Sequence, residues 1–221
     1  MSEAENVSEM TARHANVTRR TARMEAFSDG VFAIAITLLV LDLAIPATTQ
    51  STRHLLDAVG DEWPGYLGYI VSFATVGALW LGHNAITDYL DRADTALLRL
   101  NLLLLLFVSF LPFPTRLLSE YVGTDQAERV ACTFYGLVLL AAASLLALLW
   151  RYARHAQLVR PDAKDEEITL LTQRLTPGLA GYGLVIVIGL FVPIAAVIGY
   201  LLIALFFLIP VRVPWLLHHR P

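Results

Sequence analysis

Long apolar segments, each bounded by charged residues or by proline, constrain this 221-residue chain more than any other feature. A helix that crosses the hydrocarbon layer of a membrane needs about 20 mostly apolar residues. Six segments reach or approach that length, and 57% of all residues are hydrophobic, more than a soluble domain uses. We therefore predict an all-α, multi-pass membrane protein whose six transmembrane helices span approximately residues 24–45, 66–87, 97–114, 130–150, 170–192 and 194–211.

The two ends of the chain and its last apolar run define the predicted domain limits. Residues 1–22 carry acids, hydroxyls and arginines without an apolar stretch, which predicts a flexible cytoplasmic tail rather than a cleavable signal peptide. The transmembrane domain is predicted over residues 23–215, with a second cytoplasmic tail at 216–221. The final apolar run is too long for one span, and we expect Pro193 to break it into two.

The distribution of basic residues predicts the orientation of the spans, because Arg and Lys near span ends remain on the cytoplasmic side. Six spans with both termini inside place thirteen basic residues in cytoplasmic segments and three outside. The inner residues are Arg13, Arg19, Arg20, Arg23, Arg92, Arg99, Arg151, Arg154, Arg160, Lys164, Arg174, Arg212 and Arg220, and the outer ones are Arg53, Arg116 and Arg129. This asymmetry predicts cytoplasmic N- and C-termini.

Charge and motif content argue against several classes of function. A net charge of −3 gives no basic surface for a phosphate backbone, so we expect no nucleic-acid partner. The single cysteine, Cys132, allows neither an intrachain disulfide nor a Cys-based zinc site. The chain carries no Gly-Lys-Ser/Thr phosphate loop and no His-Glu-x-x-His motif. We expect no enzyme activity and no cofactor.

Polar residues lie at the head of the first span and at matching depth in two later spans. Ser28 or Asp29 would serve as an ordinary helix cap. A carboxylate this close to the hydrocarbon also needs polar partners. The second and third spans supply an indole, an imidazole and two amides, from Trp80, His83, Asn84 and Asn101. We predict a buried network that holds the first helix against its neighbours, with a catalytic or proton-relay role as the alternative.

Three apolar residues of the first span recur at helical spacing. Ile34, Leu38 and Leu41 stand at positions i, i+4 and i+7, so they form one stripe of the helix. In most membrane helices such a stripe faces lipid or a neighbouring helix. Periodicity alone therefore does not decide whether this stripe faces lipid, a neighbouring helix or a pore.

The pattern Arg-x-x-x-Phe-Ser-Asp, formed by Arg23, Phe27, Ser28 and Asp29, resembles the hallmark of the transmembrane protein 175 family of potassium channels. The similarity covers roughly the first half of the chain. It extends through residues 30–39, 80–84, 101–107 and 112–114. Bacterial members of this family carry one six-helix unit per chain, and this chain is similar to them in length.

The resemblance implies a tetramer whose first helices surround a central pore without a Thr-Val-Gly-Tyr-Gly filter. It implies that Ile34 forms the narrowest ring, with Leu38 and Leu41 as further apolar layers. Thr37, one position off the stripe, would offer hydroxyl oxygens to the pore. Asp42 would concentrate cations at the outer mouth, or would be an interfacial acid in contact with headgroups.

From the residues and the resemblance together we expect a potassium-selective or potassium-preferring leak-type channel. Its partners would be the permeating potassium ion, the lipid bilayer and further copies of the same chain, with no bound metal beyond permeating potassium. The expected location is a bacterial inner membrane. The alternatives are a proton-permeable channel, a secondary transporter, and a membrane scaffold that conducts no ions.

Overall fold

The computed structural model describes residues 3–43, 52–123 and 125–209, and the regular structure of this part is helical. A 3-10 turn, Leu39–Asp42, follows the first helix directly. The α-helices are α1 (Glu3–Leu38), α2 (Thr52–Asp61), α3 (Trp63–Thr87), α4 (Thr95–Phe110), α5 (Pro112–Tyr121), α6 (Asp125–His155), α7 (Asp165–Gly189) and α8 (Pro193–Leu208).

Helices α3 and α6 hold the bundle together. α3 packs against α1, α5 and α8, and α6 packs against α4, α5 and α7. Trp150, Tyr135 and Tyr200 are the largest fully buried side chains. Small residues let the helices approach closely: a side chain at Gly136 would collide with the Tyr200 hydroxyl. The first helix packs against α3 and α4.

Four helical stretches in the described residues are long and apolar enough to cross a membrane. They are Arg20–Leu41, Trp63–Thr87, Thr95–Tyr121 and Gln126–His155. α8 is apolar but has only 16 residues, and α7 opens with three consecutive acids. By length and composition, these four stretches can each span a membrane, and six spans with cytoplasmic termini stay a prediction.

Two elements differ from the sequence-based expectation. The tail predicted to be flexible is helical from Glu3 onward and continues into α1, because its Ala, Glu, Met and Arg residues favour helix. The third span is predicted to end at residue 114, but Pro112 and Pro114 lie in the first turn of α5, which continues to Tyr121. Proline is tolerated there because its missing N–H would have no helical acceptor.

A chain of buried hydroxyls fixes α5 in place. Thr115 donates to the Leu111 carbonyl at 2.8 Å, so its oxygen accepts from Ser72, 2.7 Å away. Ser72 in turn accepts from the Tyr135 hydroxyl at 2.9 Å. These three side chains are at most 1% exposed. These hydrogen bonds link α3, α5 and α6 near the boundary between α4 and α5.

Asp94 joins the loop before α4 to the end of α6. Its Oδ1 atom accepts from the Leu97 amide at 2.7 Å and caps α4, and its Oδ2 atom accepts from the Tyr152 hydroxyl at 2.6 Å. Desolvation opposes ionisation, but these hydrogen bonds to the carboxylate outweigh it and keep the pKa of Asp94 below its usual value.

We expect Asp94 to make the stability of the protein depend on pH in the acid range. A carboxyl whose pKa is lowered by folding contributes stability above its unfolded pKa, about 3.9, and this contribution is lost as the pH falls through the lower folded value. The thermal midpoint of Asp94→Asn should therefore fall less on acidification than that of the wild type. Asp88→Asn, at an exposed acid of the same loop, is the control. Parallel pH profiles for wild type and Asp94→Asn would contradict the assignment.

Candidate functional site

The first helix has one anchored face and one open face. Met24, Ser28, Phe32, Ala35 and Leu39 recur at intervals of three or four residues and are at most 4% exposed. They pack against α3 and α4. No helix in the described part of the subunit packs against the opposite face, and the side chains on that face are exposed.

A directed chain of hydrogen bonds anchors α1 through its serine. The Ser28 hydroxyl donates to the Met24 carbonyl at 2.8 Å and accepts from Asn101 Nδ2 at 2.9 Å. Because the Asn101 amide nitrogen is the donor to Ser28, its Oδ1 atom is left to accept from His83 Nε2 at 2.8 Å. His83 therefore carries its proton on Nε2. All three side chains are at most 2% exposed.

A second contact ties the aspartate of the motif to α3. The Trp80 indole N–H donates to Asp29 Oδ1 at 2.9 Å, in a partly exposed position. Phe32, one turn further along α1, stacks at a tilt on the His83 ring with centroids 5.6 Å apart. The motif is thus held to α3 through Asp29 and to α4 through Ser28, and the nearby contact between Phe32 and His83 adds a second link to α3.

Two polar atoms next to this chain remain without a hydrogen-bond partner among the described residues. They are His83 Nδ1 and Asn84 Oδ1, both buried. The sequence predicted both Asn84 and Asn101 as members of one network, but in the structure only Asn101 is hydrogen-bonded to α1. Local sequence cannot distinguish the two amides, because the difference depends on how α3 and α4 are rotated about their axes.

Arg23, the first residue of the motif, is exposed. Within the part of one subunit that the structure describes, Arg23 forms no salt bridge with Asp29. The carboxylate of Asp29 contacts Trp80 instead. Phe27 lies on the same open face, with 57% of its surface exposed.

The apolar stripe of α1 lies on the open face. Ile34, Leu38 and Leu41 are 60%, 41% and 71% exposed. Leu41 follows the change from α-helix to 3-10 helix, so its spacing from Leu38 is not that of a continuous α-helix. Thr37 is also exposed, and its hydroxyl donates to the Ile34 carbonyl at 2.9 Å. The side chain of Asp42 lies outside the described residues.

The comparisons with known proteins place these observations in a family. The profile of the endosomal/lysosomal potassium channel TMEM175 family matches residues 23–112, which include the Arg-x-x-x-Phe-Ser-Asp pattern and the polar chain. A potassium channel of Streptomyces collinus is 41% identical over 167 residues, which are 75% of this chain and 81% of that one. The chain belongs to the TMEM175 family.

Other TMEM175 relatives agree with this assignment. The crystal structure of a lysosomal potassium-selective channel TMEM175 homolog from Chamaesiphon minutus superposes with a TM-score of 0.78 at 35% identity, covering 86% of this chain and 97% of that one. The human protein, named an endosomal/lysosomal proton channel, is 36% identical over 153 residues, but these are only 30% of its length. Members of the family are channels and not enzymes.

Sequence reasoning missed contacts that lie beyond the motif. No sequence pattern predicted that the Phe32 ring contacts His83 or that Arg174 caps the end of α8. The hydrogen bond between Ser72 and Thr115 was not predicted either. Ser72 and Thr115 carry the same sequence signal as Asn101: each is a polar residue inside an apolar segment. Such a side chain must find a partner within the protein.

Proposed function

We propose that this TMEM175-family protein forms a potassium-selective or potassium-preferring leak-type channel. The observation that carries the proposal is the exposed stripe Ile34, Leu38 and Leu41, opposite the face by which α1 is anchored. Bacterial relatives named potassium channels support the choice of ion. Passive flux down the electrochemical gradient follows, with no covalent chemistry.

The proposed assembly is a tetramer of six-span subunits with both termini in the cytoplasm of a bacterial cell. One helix cannot enclose a pore, so several copies of α1 must present their open faces to a common axis. Ile34 would form the narrowest ring, and Leu38 and Leu41 would add apolar layers. Apolar rings can gate by dewetting, so conduction requires them to widen enough for a partly hydrated ion.

The polar chain has a positioning role in this proposal. Ser28, Asn101 and His83 set the rotation of α1 on α3 and α4, which determines the side chains that face the pore. Thr37 would add hydroxyl oxygens and Asp42 a ring of carboxylates at the outer mouth. Arg23, with no acidic partner among the described residues of its own subunit, would pair with Asp29 or another group of a neighbouring copy.

A proton channel is the second candidate, because the animal relatives are named endosomal/lysosomal proton channels. Both candidates share the same open face of α1, so the permeating ion distinguishes them.

Ion flux through the purified protein in liposomes tests the proposal. Liposomes loaded with potassium should lose it faster than liposomes from a mock purification, and faster than matched liposomes lose sodium. Proton flux that exceeds potassium flux at equal driving force would favour the second candidate. A folded oligomer that passes none of the three ions would contradict both and would favour a non-conducting scaffold.

A further inference from the structure

A cavity of about 220 Å³ lies between α3, α7 and α8, on the side of α3 away from α1. Its walls are apolar apart from one side chain, the guanidinium of Arg174. Leu81, at its edge, is 39% exposed, so the cavity adjoins the outer surface of the subunit. A hollow of this composition, apolar with one charged group at one end, is typical of a binding site.

Small residues at helical spacing create the hollow. Ala78, Gly82 and Ala85 stand at i, i+4 and i+7 on α3, and their short side chains leave the space unfilled. Deeper in, the space narrows: a side chain at Gly178 would meet the Phe207 ring at 2.7 Å. A second hollow of about 30 Å³ continues from this point toward Tyr182. The combined shape is a narrow slot that leads from Arg174 into the bundle.

Arg174 is fixed at the mouth of the slot by the end of α8. Its Nη2 atom donates to the carbonyls of Phe207 and Ile209 at 2.8 and 2.6 Å, which caps the helix. A guanidinium has five N–H donors, so these two bonds leave other donors available. In the described part of the chain, no carboxylate lies within salt-bridge distance of Arg174. Its positive charge is therefore unneutralised beside an apolar slot.

We propose that this slot binds an anionic phospholipid, with its phosphate on Arg174 and one acyl chain between Ala78, Gly82 and Ala85. Basic pockets between transmembrane helices on the cytoplasmic side suit anionic headgroups, and the surrounding bilayer supplies the acyl chain. Arg154, which donates to Thr172 two residues before Arg174, adds positive charge at the same end of the bundle. The site lies on the far side of α3 from the candidate pore and does not depend on ion conduction.

Native mass spectrometry of the full-length protein with phosphatidylglycerol or phosphatidylcholine of equal chain length tests the proposal. The wild type should retain one phosphatidylglycerol per subunit in preference to phosphatidylcholine. Arg174→Gln, which removes the charge, and Ala85→Leu, which fills the slot, should each weaken that binding about tenfold, as expected for loss of a charge-assisted contact or of the space itself. Arg151→Gln, an exposed arginine near the same end, and Ala195→Leu, an exposed alanine of α8, should bind like the wild type.

Photocrosslinking of the wild type keeps the test independent of how the variants fold. A phosphatidylglycerol with a photoreactive acyl chain should label the segments that contain Ala85 and Arg174. Labelling elsewhere only, or equal retention of the two lipids, would overturn the proposal. Loss of lipid in Ala85→Leu without any headgroup preference would also overturn it, because a neutral acyl chain would then be the occupant.

Discussion

Ile34→Asn is expected to raise potassium flux through liposomes by about tenfold, which corresponds to lowering the barrier to permeation by about 1.4 kcal/mol. Ile34 is 60% exposed on the open face of α1, and the proposed function assigns it to the narrowest ring of the pore. An amide at this position would let water remain in the constriction, so the ion would keep more of its hydration shell. The ratio of potassium to sodium flux should fall at the same time.

Ile70→Asn is the matched control for this experiment. Ile70 is 53% exposed on α3, so the same change alters a similar apolar surface away from the open face of α1. We expect its fluxes to equal those of the wild type. Equal increases in both variants would show a general leak of the bilayer. An assembled Ile34→Asn protein with unchanged flux and selectivity would exclude Ile34 from the constriction.

Asn101→Ala is expected to lower the free energy of unfolding by about 2 kcal/mol. A hydrogen bond between membrane helices contributes on average about 0.6 kcal/mol. Asn101 joins two helices to its own, and its removal leaves the buried His83 Nε2–H without an acceptor, at a cost of about 1 to 3 kcal/mol. Reversible unfolding of the purified protein in mixed micelles, followed by tryptophan fluorescence, measures the difference.

Asn84→Ala provides the comparison, since it deletes the same amide from a neighbouring helix. Asn84 Oδ1 has no partner among the described residues, so we expect a loss below about 0.5 kcal/mol. The ratio of the two losses in unfolding free energy tests which of the two amides anchors α1. Equal losses would mean that both amides hold α1, and a larger loss for Asn84→Ala would reverse the assignment.

Much of the site could be predicted from the sequence because its signals are local. A polar side chain inside an apolar segment needs a partner within the protein, and this rule singled out the set Ser28, Asp29, Trp80, His83, Asn84 and Asn101. The stripe of Ile34, Leu38 and Leu41 required only the helical period. Both inferences use neighbouring residues and no tertiary information.

The partners in the polar chain could not be predicted in the same way. Ser28 and Asn101 are 73 residues apart, and their 2.9 Å contact depends on how α1 and α4 are rotated about their axes. That rotation is set by packing along the whole length of each helix. The same reason separates Asn84, which stays without a partner for its Oδ1 atom, from Asn101.

The sequence by itself therefore determined that the chain is helical and built for a membrane, and where its motif lies, because hydropathy and spacing are properties of short segments. Only the tertiary structure decided which face of α1 is anchored and which is open, that α5 continues beyond the prolines, and that Arg174 lies at the mouth of a slot. These features arise from contacts between residues far apart in the chain. Close packing of the whole bundle, and no single segment, determines them.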